Sequence, residues 1–247
     1  MKQTRILMGM PITLEVIDAA TTAIFDTVFA YFEYIDLTFS TYKEDSEISR
    51  INRQELSIEQ ASADVRTIFT LAEQTRHATK GYFDIARNGI YDPSGIVKGW
   101  AIYHAAEIVS QYGYKSYYVD AGGDIQMAGN NSQGKKWRVG IRNPFNLNEI
   151  VKVLAVSNCG VATSGISIRG QHIYDPHTNS PLSTDLVSLT VIGPNIYEAD
   201  RYATAAFAMG NVGIMFIERL DGFEGYAIDR HGQATYTSDF VRYTNHD

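Results

Sequence analysis

The hydrophobic pattern of the chain changes about halfway along, and this change constrains the fold more than any single motif does. In the first half, apolar residues recur at helical spacing in three long segments. After residue 113, short β-like runs such as "SYYVDAGGDIQMAG" and "KWRVGIRNP" follow one another, separated by Gly, Asn and Pro. Strands and helices do not alternate regularly. The pattern therefore predicts an α+β fold with mixed, largely antiparallel sheets and packed helices, rather than a doubly wound sheet.

The individual elements follow from the same periodicity. Residues from Ile6 to Ile17 are β-like, "STYKEDSEISRIN" is predicted as a polar turn, and "YFDIARNGIYDPSG" is predicted as a loop. The chain should end in a hairpin that turns at Asp229 to Gly232. The predicted helices cover residues 20–39, 62–80, 96–111, 196–209 and 212–220.

Length and composition narrow the class of protein. With 247 residues and no evident linker, we expect one domain over residues 1–247. A net charge of −7 argues against unspecific binding to nucleic acid or to an anionic membrane. The single cysteine, Cys159, rules out an internal disulfide framework. No segment resembles a signal peptide or a membrane span, so we expect a cytoplasmic protein.

The stretch "YDPSGIVKGWAIYHA", which begins at Tyr91, is the first candidate site. Gly95 allows close approach of a ligand to the backbone, and the free N–H groups of a helix start favour an anion. Lys98 adds a positive charge one turn into the helix. The alternative is an ordinary capped helix, in which Asp92 or Ser94 bonds only the backbone.

Three further stretches carry candidate residues, each with a structural alternative. "VDAGGDI" is a strand running into a tight turn, in which Asp124 could simply bond its own backbone. "VATSG", which includes Thr163, Ser164 and Gly165, could line a nucleotide pocket. His172 in "HIYDPHTNSP" could act as a base, or could belong to a hairpin with an Asp-Pro turn.

The last stretch, "EADRYATAAFAMG", places Asp200 and Thr204 four residues apart, so that both lie on one face of a helix. A carboxylate and a hydroxyl form an oxygen donor pair that suits Mg²⁺. The alternative is that Asp200 stabilises the first helical turn and Thr204 fills space. Zinc signatures, a Walker A sequence and G-x-G-x-x-G are absent from the sequence.

Taken together and in order, these stretches resemble the ApbE family of FAD:protein FMN transferases. The similarity runs from "MGMPITLEV" and "FSTYKEDSEISRIN" through "FDIARNGIYDPSGIVKGWA", "VDAGGDI", "WRVGIRNP", "VATSG" and "HIYDPHTNSPL" to "EADRYATAAFAMG". The resemblance implies an enzyme that binds FAD and Mg²⁺. It would transfer FMN to a threonine or serine hydroxyl of a target protein and release AMP.

The resemblance also implies roles for individual residues. The metal would be held by the Gly95 carbonyl, Asp200 and Thr204, and catalysis would involve His172, Lys98 and Asp200. The flavin nucleotide would contact the following residues: Met8, Tyr42, Asp92, Lys98, Thr163, Ser164, Gly165, His172 and Ile173. Because Asp200 is expected at the site rather than in the core, Asp200→Ala should abolish transfer with little loss of fold.

The chain departs from longer family members in the short segment between "YFDIA" and "DPSG". Flavin contacts that those members place there cannot be assigned, and a second subunit in a homodimer, or the target protein, could complete the pocket. Two alternative functions stay open. One is a FAD pyrophosphatase that forms FMN and AMP without a protein target, and the other is a non-catalytic FAD-binding protein.

Overall fold

The computed structural model describes residues 1–166, 174–178, 180–182 and 184–244. Six α-helices lie within these residues: α1 (Thr22–Phe39), α2 (Glu47–Asn52), α3 (Ala63–Ala78), α4 (Ser94–Gln111), α5 (Ile196–Ala208) and α6 (Gly213–Glu218). Fourteen strands lie within the same residues: β1 (Lys2–Leu7), β2 (Met10–Val16), β3 (Ala86–Arg87), β4 (Ile90–Tyr91), β5 (Tyr117–Ala121), β6 (Asp124–Ala128), β7 (Trp137–Asn143), β8 (Asn146–Val156), β9 (Cys159–Gly165), β10 (Tyr174–Asp175), β11 (Ser180–Pro181), β12 (Leu186–Gly193), β13 (Glu224–Asp229) and β14 (Ala234–Tyr236).

A central sheet organises the molecule. In the described part of the chain it has eight strands in the order β1-β2-β5-β6-β9-β12-β13-β14. Each neighbouring pair in this sheet is antiparallel. The pairs β7–β8, β3–β4 and β10–β11 form separate hairpins. The predicted α+β class with antiparallel sheets is confirmed.

Two apolar clusters cover the two faces of the central sheet. The larger cluster joins α1, α4 and α5 to the sheet and includes Phe25, Phe29 and Phe207, all fully buried. The smaller cluster packs the β7–β8 hairpin against the opposite face, around Trp137 and Phe240. Strand β12 is buried along its whole length because both faces are covered, which accounts for its run of apolar residues.

The long helices form where the periodicity predicts them. Helix α3 starts after Ser62, whose hydroxyl accepts a hydrogen bond from the Val65 amide over 3.4 Å. Helix α4 lies between α1 and α5 and has nine buried residues, so its sequence is apolar on more than one face. No helix among the described residues has the length and apolar character needed to cross a bilayer.

Local structure departs from the predictions in three places. The β-like stretch from Ile6 to Ile17 contains the end of β1 and all of β2, which form a hairpin that turns at Met8 and Gly9, both with positive φ. The predicted polar turn contains α2, because Ser46 caps a helix start by accepting from the Ser49 amide. The predicted loop before Asp92 contains β3 and β4, joined at Asn88–Gly89 with φ of 53° and 78°.

The strand register gathers several sequence-predicted residues at one end of the sheet. The pairing of Ile12 with Ala121 places the β1–β2 turn, which contains Met8, beside the β5–β6 turn at Gly122 and Gly123. The pairing of Ile125 with Val161 leaves the final residues of β9, Thr163 to Gly165, extending past the start of β6 at the same end of the sheet. This end of the sheet meets the first turns of α4, where the candidate site is formed.

Candidate active site

Helices α4 and α5 approach each other through two glycines. A Cβ atom added to Gly99 would lie 2.6 Å from Asp200 Cβ, and one added to Gly95 would lie 3.3 Å from Thr204 Cγ2. The glycines are four residues apart, as are their two partners on α5. The helices are therefore antiparallel at this contact, and Asp200 and Thr204 face the first turns of α4.

Lys98 brings a positive charge between two buried carboxylates. Its ammonium nitrogen contacts Oδ2 of Asp124 and lies 3.5 Å from Oδ1 of Asp200. The Asp124 and Asp200 side chains are only 4% and 3% exposed, whereas that of Lys98 is 20% exposed. Two carboxylates and one ammonium leave a net negative charge in a poorly hydrated place, which favours a further cation.

The second oxygen of Asp200 is also engaged. Oδ2 accepts a hydrogen bond of 2.8 Å from the backbone amide of Gly99. Burial raises the pKa of the Asp200 carboxyl above its ordinary value; Lys98 opposes the rise, and Asp124 adds to it. The expectation that Asp200 stands apart from the core is wrong, because the residue is 2% exposed and joins two helices.

The Gly95 carbonyl and the Gly99 amide lie one helical turn apart in α4. In a regular α-helix, the amide of residue 99 donates to the carbonyl of residue 95. Here the Gly99 amide donates to Oδ2 of Asp200, so the Asp200 carboxylate lies against the turn of α4 that begins at Gly95. A carbonyl, a carboxylate and a hydroxyl at this contact form the all-oxygen donor set that Mg²⁺ prefers. The residues present therefore fit this metal.

This donor set differs from a carboxylate-rich or histidine-rich centre. Among the described residues, no group of three or more His, Cys, Asp and Glu side chains is arranged to hold a metal ion. Substrate phosphate oxygens and water complete the coordination of Mg²⁺ at many protein sites. A site with one carboxylate and two neutral oxygens is consistent with that pattern.

The sequence-predicted flavin contacts fall into two groups. Met8, Thr163, Ser164 and Gly165 lie at the end of the central sheet that faces α4. The Thr163 amide donates to Oδ1 of Asp124 over 2.9 Å, which ties this strand to the Lys98 cluster. The Thr163 hydroxyl lies 2.8 Å from that of Thr190 on β12.

The second group lies before α4. Asp92 accepts a hydrogen bond of 3.0 Å from the Ser94 amide, so it shapes the helix start as the structural alternative anticipated. Tyr42 is 96% exposed in the connection between α1 and α2. Asn52 of α2 bonds both backbone groups of Tyr91, at 2.8 and 2.9 Å, and so fixes α2 next to this helix start. His172 and Ile173 lie outside the described residues.

Two functional candidates were missed by sequence reasoning. Asp124 was interpreted as a turn residue, yet its carboxylate is buried against Lys98. No sequence motif marks Gly99, although it allows Asp200 to reach the α4 backbone. The available signal was spacing: Gly95 and Gly99 repeat the four-residue interval that separates Asp200 from Thr204.

Comparison with known proteins identifies the family of this chain. The model of the ApbE family matches residues 8–92 and 88–227, which together cover most of the chain. The chain belongs to the ApbE family. A FAD:protein FMN transferase from Salmonella typhimurium is 32% identical over 155 residues, which are 59% of this chain and 44% of that protein. The match thus spans less than half of the length of that ApbE relative.

Other ApbE proteins match over more of their length. A FAD:protein FMN transferase from Vibrio cholerae is 26% identical, with 79% of each chain covered. The solved structure of the flavin transferase ApbE from Vibrio cholerae superposes with a TM-score of 0.86, at 23% identity and 98% coverage of both chains. The ApbE protein from Thermotoga maritima gives a TM-score of 0.87 at 19% identity, covering 100% of this chain and 99% of its own. These two structures establish the ApbE fold for this chain.

Proposed function

We propose that this protein is a Mg²⁺-dependent FAD:protein FMN transferase. It cleaves the pyrophosphate of FAD and attaches FMN through a phosphoester to a threonine or serine of a target protein. The observation that carries the proposal is the cluster of Lys98, Asp200, Thr204 and Gly95 at the α4–α5 contact. The names of the relatives support it, since those from Salmonella typhimurium and Vibrio cholerae are FAD:protein FMN transferases.

The reaction exchanges the phosphoanhydride bond of FAD for a phosphoester bond to the target protein. The target hydroxyl oxygen bonds to the phosphorus on the FMN side of FAD, and the bond from that phosphorus to the bridging oxygen breaks. AMP leaves with the bridging oxygen, and the hydroxyl proton passes to a base. We assign this base to His172 on the sequence alone, since that residue lies outside the described residues.

The residues of the cluster then have defined tasks. Asp200, Thr204 and the Gly95 carbonyl would hold the metal, which when bound supplies charge neutralisation at the pyrophosphate oxygens. Lys98 places an ammonium beside the same oxygens and stabilises negative charge as AMP departs. The end of the sheet that carries Met8, Thr163, Ser164 and Gly165 would bind the rest of FAD. Docking of the target aligns its hydroxyl with the scissile bond.

The test is covalent flavin transfer. The purified protein is mixed with FAD, Mg²⁺ and a target carrying the acceptor motif of the family, and flavin fluorescence is recorded on a denaturing gel. We expect a fluorescent target band that is lost when the acceptor threonine is replaced by valine. Asp200→Asn should lose the band, because the neutral amide removes the only carboxylate among the proposed metal donors while still offering an oxygen to the Gly99 amide.

Two outcomes would assign a different function. Release of AMP without a labelled target would indicate a FAD pyrophosphatase. Bound FAD with neither AMP nor labelled target would indicate a non-catalytic FAD-binding protein. A band of normal intensity from Asp200→Asn would remove Asp200 from the proposed metal site.

A further inference from the structure

Asp124 is a buried carboxylate that none of the proposed steps uses. It is 2% exposed and starts β6, directly after the Gly122–Gly123 turn. Its two oxygens have different partners: the Thr163 amide donates to Oδ1 over 2.9 Å, and the Lys98 ammonium contacts Oδ2. A carboxylate fixed on one side by the backbone can hold a flexible lysine on the other side in one place.

The distances around Lys98 are unequal. The ammonium is in direct contact with Asp124 but lies 3.5 Å from Oδ1 of Asp200. Of these two carboxylates, Asp124 is therefore the closer partner of Lys98 and Asp200 the more distant one. Asp200 is therefore left as a ligand for a dication, although a cation from its own chain lies close by.

We propose that Asp124 is a positioning residue, which holds the Lys98 ammonium away from Asp200 and directs it to the pyrophosphate of FAD. This inference rests on the proposed function, because it assumes that Lys98 faces the nucleotide phosphates. Without the Asp124 charge, the ammonium moves onto Asp200, the nearest remaining carboxylate. It then competes with the divalent cation and no longer reaches the phosphates.

The expected effects can be measured by binding, without turnover. Asp124→Asn should weaken FAD binding by about tenfold, which is the effect of losing one charge-assisted hydrogen bond. FAD binding is followed by quenching of flavin fluorescence in the presence of EDTA. Asp124→Asn should also weaken binding of Mn²⁺, used as the probe for the metal and followed by its paramagnetic resonance signal. Asp124→Glu should recover part of the FAD affinity, because it restores a carboxylate.

A double-mutant cycle separates positioning from other roles. If Asp124 acts through Lys98, then Asp124→Asn should have little effect on FAD affinity in a Lys98→Met background. Equal losses in the wild-type and Lys98→Met backgrounds would overturn the proposal, since Asp124 would then act independently of Lys98. Unchanged FAD affinity in Asp124→Asn alone would overturn it as well.

Asp120→Asn is the matched control. Asp120 is the next-to-last residue of β5, on the other side of the same turn, and accepts a hydrogen bond of 2.8 Å from the Gly123 amide. Burial raises the pKa of the Asp120 carboxyl, so this variant also removes a carboxyl from a poorly hydrated place. We expect its FAD affinity to stay close to wild type. A loss equal to that of Asp124→Asn would show that damage to the turn explains both results.

Failure of the proposed function can be distinguished from failure of the positioning role of Asp124. If the wild-type protein binds neither FAD nor Mn²⁺, the proposed function falls, and the inference is then decided by crystal structures of the ligand-free wild type and Asp124→Asn. Movement of the Lys98 ammonium towards Asp200 in the variant would support the positioning role. An unmoved ammonium would contradict it.

Discussion

The backbone amide of Gly99 donates a hydrogen bond of 2.8 Å to Oδ2 of Asp200, although the two residues are 101 positions apart in sequence. The bond fixes a side chain of α5 against a peptide group of α4. It is possible because Gly99 has no side chain, and a Cβ there would lie 2.9 Å from the Ile196 carbonyl oxygen as well as against Asp200. The geometry of the candidate metal site therefore depends on a glycine that is not one of the proposed metal donors.

Gly99→Ala should destabilise the protein and displace Asp200. Overpacking of a close contact typically costs about 1–3 kcal/mol, and the backbone oxygen of Ile196 limits the relief available. We expect a lower midpoint in chemical denaturation and weaker Mn²⁺ binding. Gly95→Ala is the comparison for stability: its Cβ would lie 3.3 Å from a Thr204 methyl group, so its loss should be smaller. Equal denaturation midpoints for the two variants would contradict this view of the contact.

Lys98→Met should lose more stability than the sequence alone suggests. From the sequence, we expect Lys98→Ala to weaken FAD binding more than it weakens the fold. In the structure, removing the ammonium leaves Asp124 and Asp200 as two buried carboxylates without the lysine between them. Breaking a buried ion pair in this way lowers the free energy of unfolding by about 3–5 kcal/mol. Denaturation with and without Mg²⁺ measures this, and Mg²⁺ should restore part of the stability. Lys2→Met removes a lysine that is 56% exposed and should behave like wild type.

The sequence predicts the fold well where periodicity is long. The segment 196–209 corresponds to α5, and the segment 62–80 corresponds to α3, with Ser62 as its cap. The short β3–β4 hairpin was missed because two-residue strands carry no periodic signal, although Asn88–Gly89 is a favourable hairpin turn. Helix α2 was missed for the same reason, since its six residues span less than two turns.

The sequence predicts only those parts of the candidate site whose residues lie on one element. Asp200 and Thr204 share a helix, so their spacing alone places them on one face. The contact between Lys98 and Asp124 joins α4 to β6, and only the packing of these elements brings the two residues together. A single sequence contains no periodicity that links such positions. Asp124 therefore had the same appearance as any aspartate in a turn.

Asp18→Asn should lower stability at neutral pH but not in strong acid. Asp18 accepts hydrogen bonds of 2.8 Å from the amides of Ser116 and Lys115, and these lower the pKa of its carboxyl below the ordinary value of 3.8. Because the pKa of this carboxyl is lower in the folded state than in the unfolded state, the ionised carboxylate stabilises the fold above the unfolded-state pKa. This stabilisation is lost as the pH falls through the folded-state pKa. Thermal unfolding should show a gap between wild type and variant at pH 7 that closes well below pH 3.8.

The control for this prediction is Asp26→Asn. Asp26 is 68% exposed and pairs with Arg5 over 2.7 Å, so solvent screening leaves little energy in the pair. We expect its melting temperature to follow that of the wild type from neutral to acidic pH. A gap for Asp18→Asn that persists unchanged in strong acid would show that the charge of Asp18 has no part in the effect.

Cys159 should react slowly with alkylating agents while the protein is folded. The residue is 7% exposed at the start of β9, and burial raises the pKa of its thiol to about 11. At pH 8 only about one thiol in a thousand is then ionised, whereas a free cysteine with a pKa of about 8.5 is ionised to roughly a quarter. Because the thiolate is the reacting species, iodoacetamide should label the native protein far more slowly than the denatured protein. Mass spectrometry of timed samples measures both rates, and equal rates would mean that β9 opens readily and that the packing around Thr163 and Asp124 is not persistent.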